Sequence, residues 1–177
     1  HLKIMTKASG RIVIDVDAGG AENGQKATAT VYLGEERIAS RFDDDGSIEL
    51  TVPNPRLWSP NYPNLYDLEV QLGDDVVRSY FGIRETGIEE DEQGHLRFTL
   101  NGRPIFHWGT LDQGWWPDGL HTPPSDEAMV SDIQFLKDAG FNLIRKHIKV
   151  EPRRYYYHCD KIGMMVCFDW IYPEVTR

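Results

Sequence analysis

The chain has 177 residues, a formal net charge of −9 and 40% apolar residues, enough to bury the core of one ordinary domain or two small ones. Its negative charge and the scatter of its Lys and Arg residues exclude nucleic acid and anionic membrane surfaces as expected partners. No apolar run approaches the ~20 residues that a membrane span needs.

The start of the chain and its cysteines bear on the compartment. The first residues lack an initiator Met and the long apolar segment of a secretory signal, so we expect the chain to be part of a longer protein. Cys159 and Cys167 fall in a predicted helix and a predicted strand, where buried free thiols are expected rather than a bridge. The localisation stays open between a bacterial cytoplasm, a periplasm and secretion.

Residues 1–86 are predicted to form an all-β domain. Apolar and polar residues alternate, with the period of a half-buried strand, in RIVIDVDA, KATATVYL, GSIELTV and LYDLEVQL. These segments are separated by pairs that favour turns, namely Gly19-Gly20, Asn23-Gly24, Asp45-Gly46 and Gly73-Asp74. Such short strands without helices indicate a small antiparallel sandwich. The loop PNPRLWSPNYP cannot continue a ladder, and we expect Trp58, Tyr62 and Tyr66 to pin it to the sandwich.

Residues 87–177 follow a different pattern. GHLRFTLNGRPIFHWG is typical of a β-hairpin with Asn101-Gly102 at its turn. Strands and helices then alternate: a strand at Pro104–Trp108, a helix at Ser125–Ala139 that Gly140 ends, a strand from Asn142, a helix between Pro152 and Gly163, and a strand at Met164–Phe168. Strands joined in this way run parallel, as they do at the start of a (β/α)-barrel.

An unusually long loop, GTLDQGWWPDGLHTPP, follows the first of these strands. Such connections usually run about two to six residues, and longer ones are often functional. In α/β barrels the active site is built by the loops at the carboxyl ends of the strands. Indole rings among carboxylate and amide groups suit a sugar. We therefore predict substrate contacts from Asp112, Gln113, Trp115 and Trp116, with the alternative that either tryptophan only plugs the barrel rim.

The second strand of the series ends in cationic and imidazole side chains. Alternation puts Leu143, Arg145 and His147 on one face, the better candidate for the barrel lumen. A buried Arg needs a carboxylate partner, and Asp169 at the end of the next strand fits that role. Arg145 and His147 are predicted to contact the substrate, although each also fits a structural role as an ion-pair member or a hydrogen-bonded core histidine.

No cofactor and no metal ion are predicted. The sequence contains no Gly-rich phosphate loop, no G-x-S-x-G run and no CxxC pair. Three histidines, His107, His121 and His158, would need separate loops to converge before they could bind a metal.

Three long segments carry a family resemblance. They are LWSPNYPNLYDLEVQL with FGIRE, FTLNGRPIFHWGTLDQGWWPDG, and DIQFLKDAGFNLIRKHIKVEPRRYYYHCDKIGMMVCFD. In this order they resemble glycoside hydrolase family 2, the group of β-galactosidases, β-glucuronidases and β-mannosidases. The resemblance implies an N-terminal all-β immunoglobulin-like sandwich at residues 1–86. At residues 87–177 it implies the hairpin and the first βα units of a (β/α)8 TIM barrel.

The resemblance also implies an activity. The parent protein would hydrolyse terminal β-linked sugars with retention of configuration, using two glutamates on later barrel strands, of which the acid/base follows an Asn. No Asn-Glu pair occurs here, so we expect a fragment that lacks both catalytic glutamates and does not turn over a glycoside. Gln113 lies where many relatives carry a substrate-contacting His. Arg145 matches the family's second-strand Arg, and His147 is one position from its following His.

Other hypotheses remain open beside this one. The chain could be a stand-alone carbohydrate-binding or interaction module that uses Trp115 and Trp116. It could also be an enzyme with a local carboxylate pair, Asp112 and Asp118, whose turnover of a β-glycoside either Asp→Asn substitution would abolish. An unclosed barrel would expose a strand edge and an apolar surface, which predicts a homo-oligomer. The sequence names neither the sugar nor the linkage.

Overall fold

The computed structural model describes residues 1–19, 26–43 and 46–169. The chain divides into two compact units. The first comprises His1–Ser59 and Asn64–Ile105, and the second comprises Pro60–Pro63 and Phe106–Arg177. Among the described residues, no helix has the length and apolar character needed to cross a bilayer.

Two antiparallel sheets make up most of the first unit. Their strands are β1 (Leu2–Thr6), β2 (Arg11–Val16), β3 (Ala27–Leu33), β4 (Glu36–Asp43), β5 (Ser47–Thr51), β6 (Tyr66–Leu72) and β7 (Asp75–Phe81). One sheet has the strand order β1-β2-β5 and the other β4-β3-β6-β7. Turn chemistry closes the β6–β7 hairpin at Gly73, whose φ of 59° is the left-handed conformation that glycine tolerates.

The inward residues of the alternating strands form one apolar core. Ile12 and Ile14 of β2, Val31 of β3 and Leu68 of β6 are all fully buried. The four segments predicted as strands are therefore confirmed as β2, β3, β5 and β6. Of the predicted turn residues, the structure describes Gly19, Gly46 and the Gly73-Asp74 pair. The others, Gly20, Asn23, Gly24 and Asp45, lie outside the described residues.

The proline-rich loop is anchored by two of the three predicted aromatic residues. Trp58 and Tyr66 are buried, and the Tyr66 hydroxyl accepts the Arg56 N–H at 2.7 Å. The prediction for Tyr62 is wrong, because its side chain is 72% exposed and its backbone belongs to the second unit. Pro60 in the same tetrapeptide accepts a hydrogen bond from the Lys137 ammonium at 2.7 Å.

A hairpin follows the sandwich within the first unit. Strand β8 (Thr86–Glu90) pairs with β9 (Leu96–Leu100), which pairs with β10 (Arg103–Pro104). Asn101 and Gly102 form the predicted turn with φ values of 53° and 70°. The compact units thus separate at Ile105/Phe106, whereas the predicted domain boundary lies before residue 87.

The second unit is a parallel sheet with two crossover helices. The elements alternate along the chain as β11 (Gly109–Asp112), α1 (Asp126–Asp138), β12 (Leu143–Lys146), α2 (Arg153–Ile162) and β13 (Met165–Phe168). Strand β12 lies between β11 and β13, and both pairings are parallel, as predicted. Side chains of the helices and the inner strand face form a core that includes Met129, Ile133, Ile144, Tyr155, Cys159 and Met164.

Local chemistry fixes both helices close to their predicted bounds. The Ser125 hydroxyl caps α1 by accepting the Ala128 N–H at 3.2 Å. Gly140, with φ of 91°, follows the end of α1. Pro152 precedes α2, and Gly163 ends it in the left-handed conformation.

The first parallel strand is not where the sequence predicted it. The predicted strand was Pro104–Trp108, and the observed one begins at Gly109. The backbone just before Gly109 forms hydrogen bonds with the Asn142 side chain. The Trp108 N–H donates to Asn142 Oδ1 at 2.9 Å, and Asn142 Nδ2 donates to the Phe106 carbonyl at 2.8 Å. At Gly109 the neighbouring strand is so close that a Cβ would lie 2.5 Å from the Leu143 carbonyl oxygen.

Candidate functional site

The carboxyl ends of the three parallel strands bring two rows of polar side chains together. The register pairs Asp112 with Lys146 on neighbouring strands. One residue further on, the ladder continues through the His147 N–H to the Asp112 carbonyl and the Asp169 N–H to the Lys146 carbonyl. Because side chains alternate along a strand, Asp112 and Lys146 point to the helix side of the sheet, and Gln113, His147 and Asp169 to the open side.

The open side carries a connected row of hydrogen-bonding groups. The Arg145 guanidinium binds Asp169 through two N–H groups, at 2.9 and 3.2 Å. This hydrogen bond raises the pKa of Arg145, and the carboxylate partner expected for Arg145 is confirmed. His147 Nε2 lies 3.8 Å from Asp169 Oδ2, the oxygen that also accepts from Arg145 Nη2, and Gln113 Nε2 lies 3.1 Å from His147 Nδ1.

This row has a defined donor and acceptor pattern. An amide nitrogen only donates hydrogen bonds, so the Gln113 Nε2–H donates to His147 Nδ1, which accepts through its lone pair. In the neutral imidazole the remaining proton is then on Nε2, the nitrogen that faces Asp169. Three of the predicted substrate contacts, Gln113, Arg145 and His147, are therefore brought together: Asp169 lies beside Arg145 and His147, and Gln113 is bound to His147.

On the helix side lies a buried ion-pair cluster that the sequence analysis missed. Lys146 is 0% exposed, and its ammonium lies 2.6 Å from both Asp112 Oδ2 and Glu151 Oε1. The same nitrogen lies 4.9 Å from the centre of the Tyr155 ring. Burial, aided by the nearby carboxylates, raises the pKa of the Tyr155 hydroxyl. The detectable signal was a lysine on the face that Ile144 marks as apolar.

The predicted sugar contact Asp112 is part of this cluster. Its Oδ2 accepts a hydrogen bond from the Lys146 ammonium, and its Oδ1 accepts one from the Gly114 N–H at 2.6 Å. Lys149, in the loop that follows β12, also belongs to the cluster, with its Nζ 3.0 Å from Glu151 Oε1. Asp112 thus holds the start of its own loop. The hypothesis that pairs it with Asp118 as a local catalytic carboxylate stays a prediction.

The two adjacent tryptophans occupy different environments. Trp115 is 59% exposed, and its ring centre lies 4.1 Å from that of His121. Trp116 packs against the helical core, and its backbone exchanges hydrogen bonds with Leu120 at 2.7 and 3.1 Å. Trp115 is therefore presented to solvent as an aromatic platform, whereas Trp116 fills the rim of the sheet, the alternative left open by the sequence.

In the described ranges, no three His, Cys, Asp or Glu side chains are grouped so that they could hold a metal ion. The two cysteines are free thiols. Cys159 is buried as predicted, and burial raises its pKa to about 12. Cys167 is exposed, against the prediction, because it lies on the open face in register with Arg145.

Comparison with known proteins supplies the family. The family model described as "Glycosyl hydrolases family 2" matches residues 3–84. A β-galactosidase of Leuconostoc mesenteroides is 31% identical over 144 residues, which is 77% of this chain. The chain belongs to glycosyl hydrolases family 2. This family 2 chain spans 13% of the length of that β-galactosidase.

Solved structures extend the likeness to both units of the family 2 chain. Faecalibacterium prausnitzii β-glucuronidase matches 93% of it with a TM-score of 0.79 and 24% identity, over 26% of its own chain. Bacteroides uniformis β-glucuronidase 3 matches 95% with a TM-score of 0.77 and 26% identity, over 22% of its own chain. With 93% and 95% of the chain covered, these matches run well past residues 3–84, which the family model covers.

Proposed function

We propose that the chain forms the sandwich and the opening of the (β/α)8 TIM barrel of a retaining, exo-acting β-glycosidase that removes terminal β-linked sugars. One observation carries the proposal: polar side chains converge at the carboxyl ends of parallel strands joined by helices, where barrel enzymes bind substrate. Residues 1–86 would be the immunoglobulin-like domain. Residues 87–177 would be the hairpin and the N-terminal part of the catalytic domain.

In this proposal the open face contacts the sugar. Gln113 and His147 bond its hydroxyls, and Trp115 packs against its apolar C–H face. Arg145 has five N–H donors, of which two bind Asp169, so its half-exposed fork retains donors for a ligand. Asp112 and Trp116 support the loop from its buried side.

The residues of this chain are expected to bind without hydrolysing. Retention of configuration needs two carboxyl groups about 5 Å apart, one an acid/base and one a nucleophile. Asp169, a carboxylate of the open face, is already bound by Arg145. The sequence has no Asn-Glu pair to supply the family's acid/base. The hydrolytic activity is therefore proposed for the whole protein.

A sugar titration followed by NMR tests the binding role. With methyl β-D-galactopyranoside or methyl β-D-glucuronide at millimolar concentration, we expect shifts of the Trp115 indole and His147 ring signals. Trp115→Ala and His147→Ala should each weaken binding at least about fivefold. Tyr62→Ala, which removes another exposed aromatic ring from the same unit, is the matched control and should bind normally. Wild-type signals that do not move with either sugar would refute the binding role.

Reading the gene beyond the codon for Arg177 tests the enzyme. An Asn-Glu pair at the end of a predicted strand, followed by a second strand-end Glu, supports the proposal. A stop codon directly after Arg177 would instead favour a stand-alone carbohydrate-binding module, the second candidate, for which the exposed Trp115 platform speaks. Turnover of a chromogenic β-glycoside by the chain itself would contradict the assignment of catalysis to later residues.

The same proposal includes self-association. In the described part of the chain, β11 and β13 each pair with β12 alone, which leaves a backbone edge on either side of the sheet. The open face also exposes Leu111 and Cys167. We expect a concentration-dependent dimer in analytical ultracentrifugation. A monomer at all concentrations would remove this part of the proposal.

A further inference from the structure

The turn that carries the candidate sugar contacts is held at one residue. Gly114 lies between Gln113 and Trp115, and it is buried although both neighbours are exposed. Its N–H donates to Asp112 Oδ1 at 2.6 Å, and its carbonyl accepts the Lys149 ammonium at 2.9 Å. Both hydrogen-bonding groups of this peptide are thus bound by charged side chains.

Sterics reinforce this hold on Gly114. Its φ is 69°, and a Cβ there would lie 2.4 Å from Lys149 Nζ and 2.7 Å from Glu151 Oε1. The backbone and the two charged side chains therefore occupy one closely packed space, which only glycine fits. Rotation of this peptide would break two charge-assisted hydrogen bonds at once.

The lysine is in turn fixed by a buried carboxylate. The side chains of Lys149 and Glu151 are 9% and 2% exposed, with 3.0 Å between Lys149 Nζ and Glu151 Oε1. The same Oε1 accepts Lys146, whereas Glu151 Oε2 is buried with no hydrogen-bond partner among the described residues. Lys146 already has Asp112 as a counterion, so its charge alone does not account for Glu151.

A pair of this kind is a poor source of stability. Desolvating two charges costs about as much as their attraction returns, and apolar residues of similar volume often serve as well. The Lys149–Glu151 pair does have a directional partner that no apolar residue could replace, the Gly114 carbonyl. Its specific contribution is therefore to the conformation of the turn.

We propose that Lys149 and Glu151 are positioning residues that hold the Gln113–Trp115 turn in the conformation that binds the sugar. The inference rests on the proposed function for its ligand. Through Gly114 they set the direction in which the Gln113 amide meets His147 and the Trp115 ring faces solvent. They act from the buried side and do not touch the sugar, so their loss lowers affinity without removing a contact.

A charge-balanced double variant tests this role. Lys149→Met with Glu151→Gln removes one charge of each sign and leaves the Lys146–Asp112 pair intact. Native-state hydrogen exchange at the Gly114 amide should become at least about tenfold faster, while exchange at Ile133 in the core stays unchanged. Sugar affinity should fall at least about fivefold. Lys161→Met, which removes an exposed lysine of α2, is the matched control and should change neither measurement.

The result that overturns the proposal is a folded double variant with normal Gly114 exchange and an unchanged Gln113 side-chain amide signal. If the double variant does not fold, Lys149→Gln decides by the same measurements, because a shorter neutral amide cannot reach both Gly114 and Glu151. A wild-type chain that binds no sugar would refute the proposed function, and the exchange measurement would still decide whether the pair positions the turn.

Discussion

Replacing Lys146 by Met is the sharpest test of the buried cluster. Met has nearly the length of Lys and keeps an apolar stem, but it removes the charge, its hydrogen-bond donors and the contact of the ammonium with the Tyr155 ring. The change leaves two carboxylates that were each 2.6 Å from the ammonium. Breaking a fully buried pair costs about 3–5 kcal/mol. Glu151 keeps Lys149 and Asp112 is partly exposed, so we expect the lower end, about 3 kcal/mol.

The assay can be made specific for the second unit. Among the described residues, α1 and α2 both belong to that unit, so the helical circular dichroism signal during urea unfolding reports its stability. The double variant, Lys146→Met with Asp112→Asn, should regain most of the loss, because Glu151 then keeps Lys149 as its counterion and no carboxylate of the cluster is left without one. Lys161→Met, an exposed substitution, should stay within about 0.5 kcal/mol of the wild type.

Two results would refute this reasoning. A single Lys146→Met variant within about 1 kcal/mol of the wild type would mean that solvent already screens the cluster. A double variant no more stable than the single one would mean that the loss came from geometry and not from the Asp112 carboxylate left without its counterion.

Three further predictions concern local structure. Gly109→Ala should destabilise the second unit by about 2 kcal/mol in the same urea assay, because its Cβ would meet the Leu143 backbone; unchanged stability would contradict the close approach. A thiol reagent at pH 8 should label Cys167 in the native protein and Cys159 only in denaturant, since a pKa of about 12 leaves roughly 10⁻⁴ of it as thiolate; equal native rates would disprove this. Ser125→Ala should cost about 1 kcal/mol as the cap of α1 is lost, whereas Ser125→Asp should not.

Most of the fold could be predicted because its signals are local. Alternation along a strand fixed which residues of β2 and β3 face the core, and Ser125, Gly140 and Gly163 bounded the helices through their own backbone preferences. The Arg145–Asp169 pair joins two strands, but it could be predicted because both residues stand at the carboxyl ends of consecutive parallel strands, which lie side by side.

What escaped prediction depends on contacts between distant segments. Strand β11 begins at Gly109 because the Asn142 side chain binds the backbone of Phe106 and Trp108. Neither the sequence around Asn142 nor that around Trp108 indicates this contact by itself. The cluster at Lys146 requires the register that puts Asp112 beside it, a pairing between residues of two different strands. Without knowledge of that register, the sequence shows only that Lys146 points to the face of the strand away from Arg145, and that Glu151 is a polar residue before a helix.

The tetrapeptide Pro60–Pro63 has a consequence for truncating this protein and for its folding during synthesis. It lies in the chain between β5 and β6 of the sandwich, yet the Pro60 carbonyl is bound by Lys137, and a Cβ at Gly163 would come within 2.3 Å of the Pro60 carbonyl oxygen. A truncated polypeptide starting at Phe106 would therefore leave the Lys137 ammonium short of an acceptor. During synthesis the tetrapeptide leaves the ribosome before its partners Lys137 and Gly163, the latter about a hundred positions later in the chain. It can therefore pack against them only after both have been made.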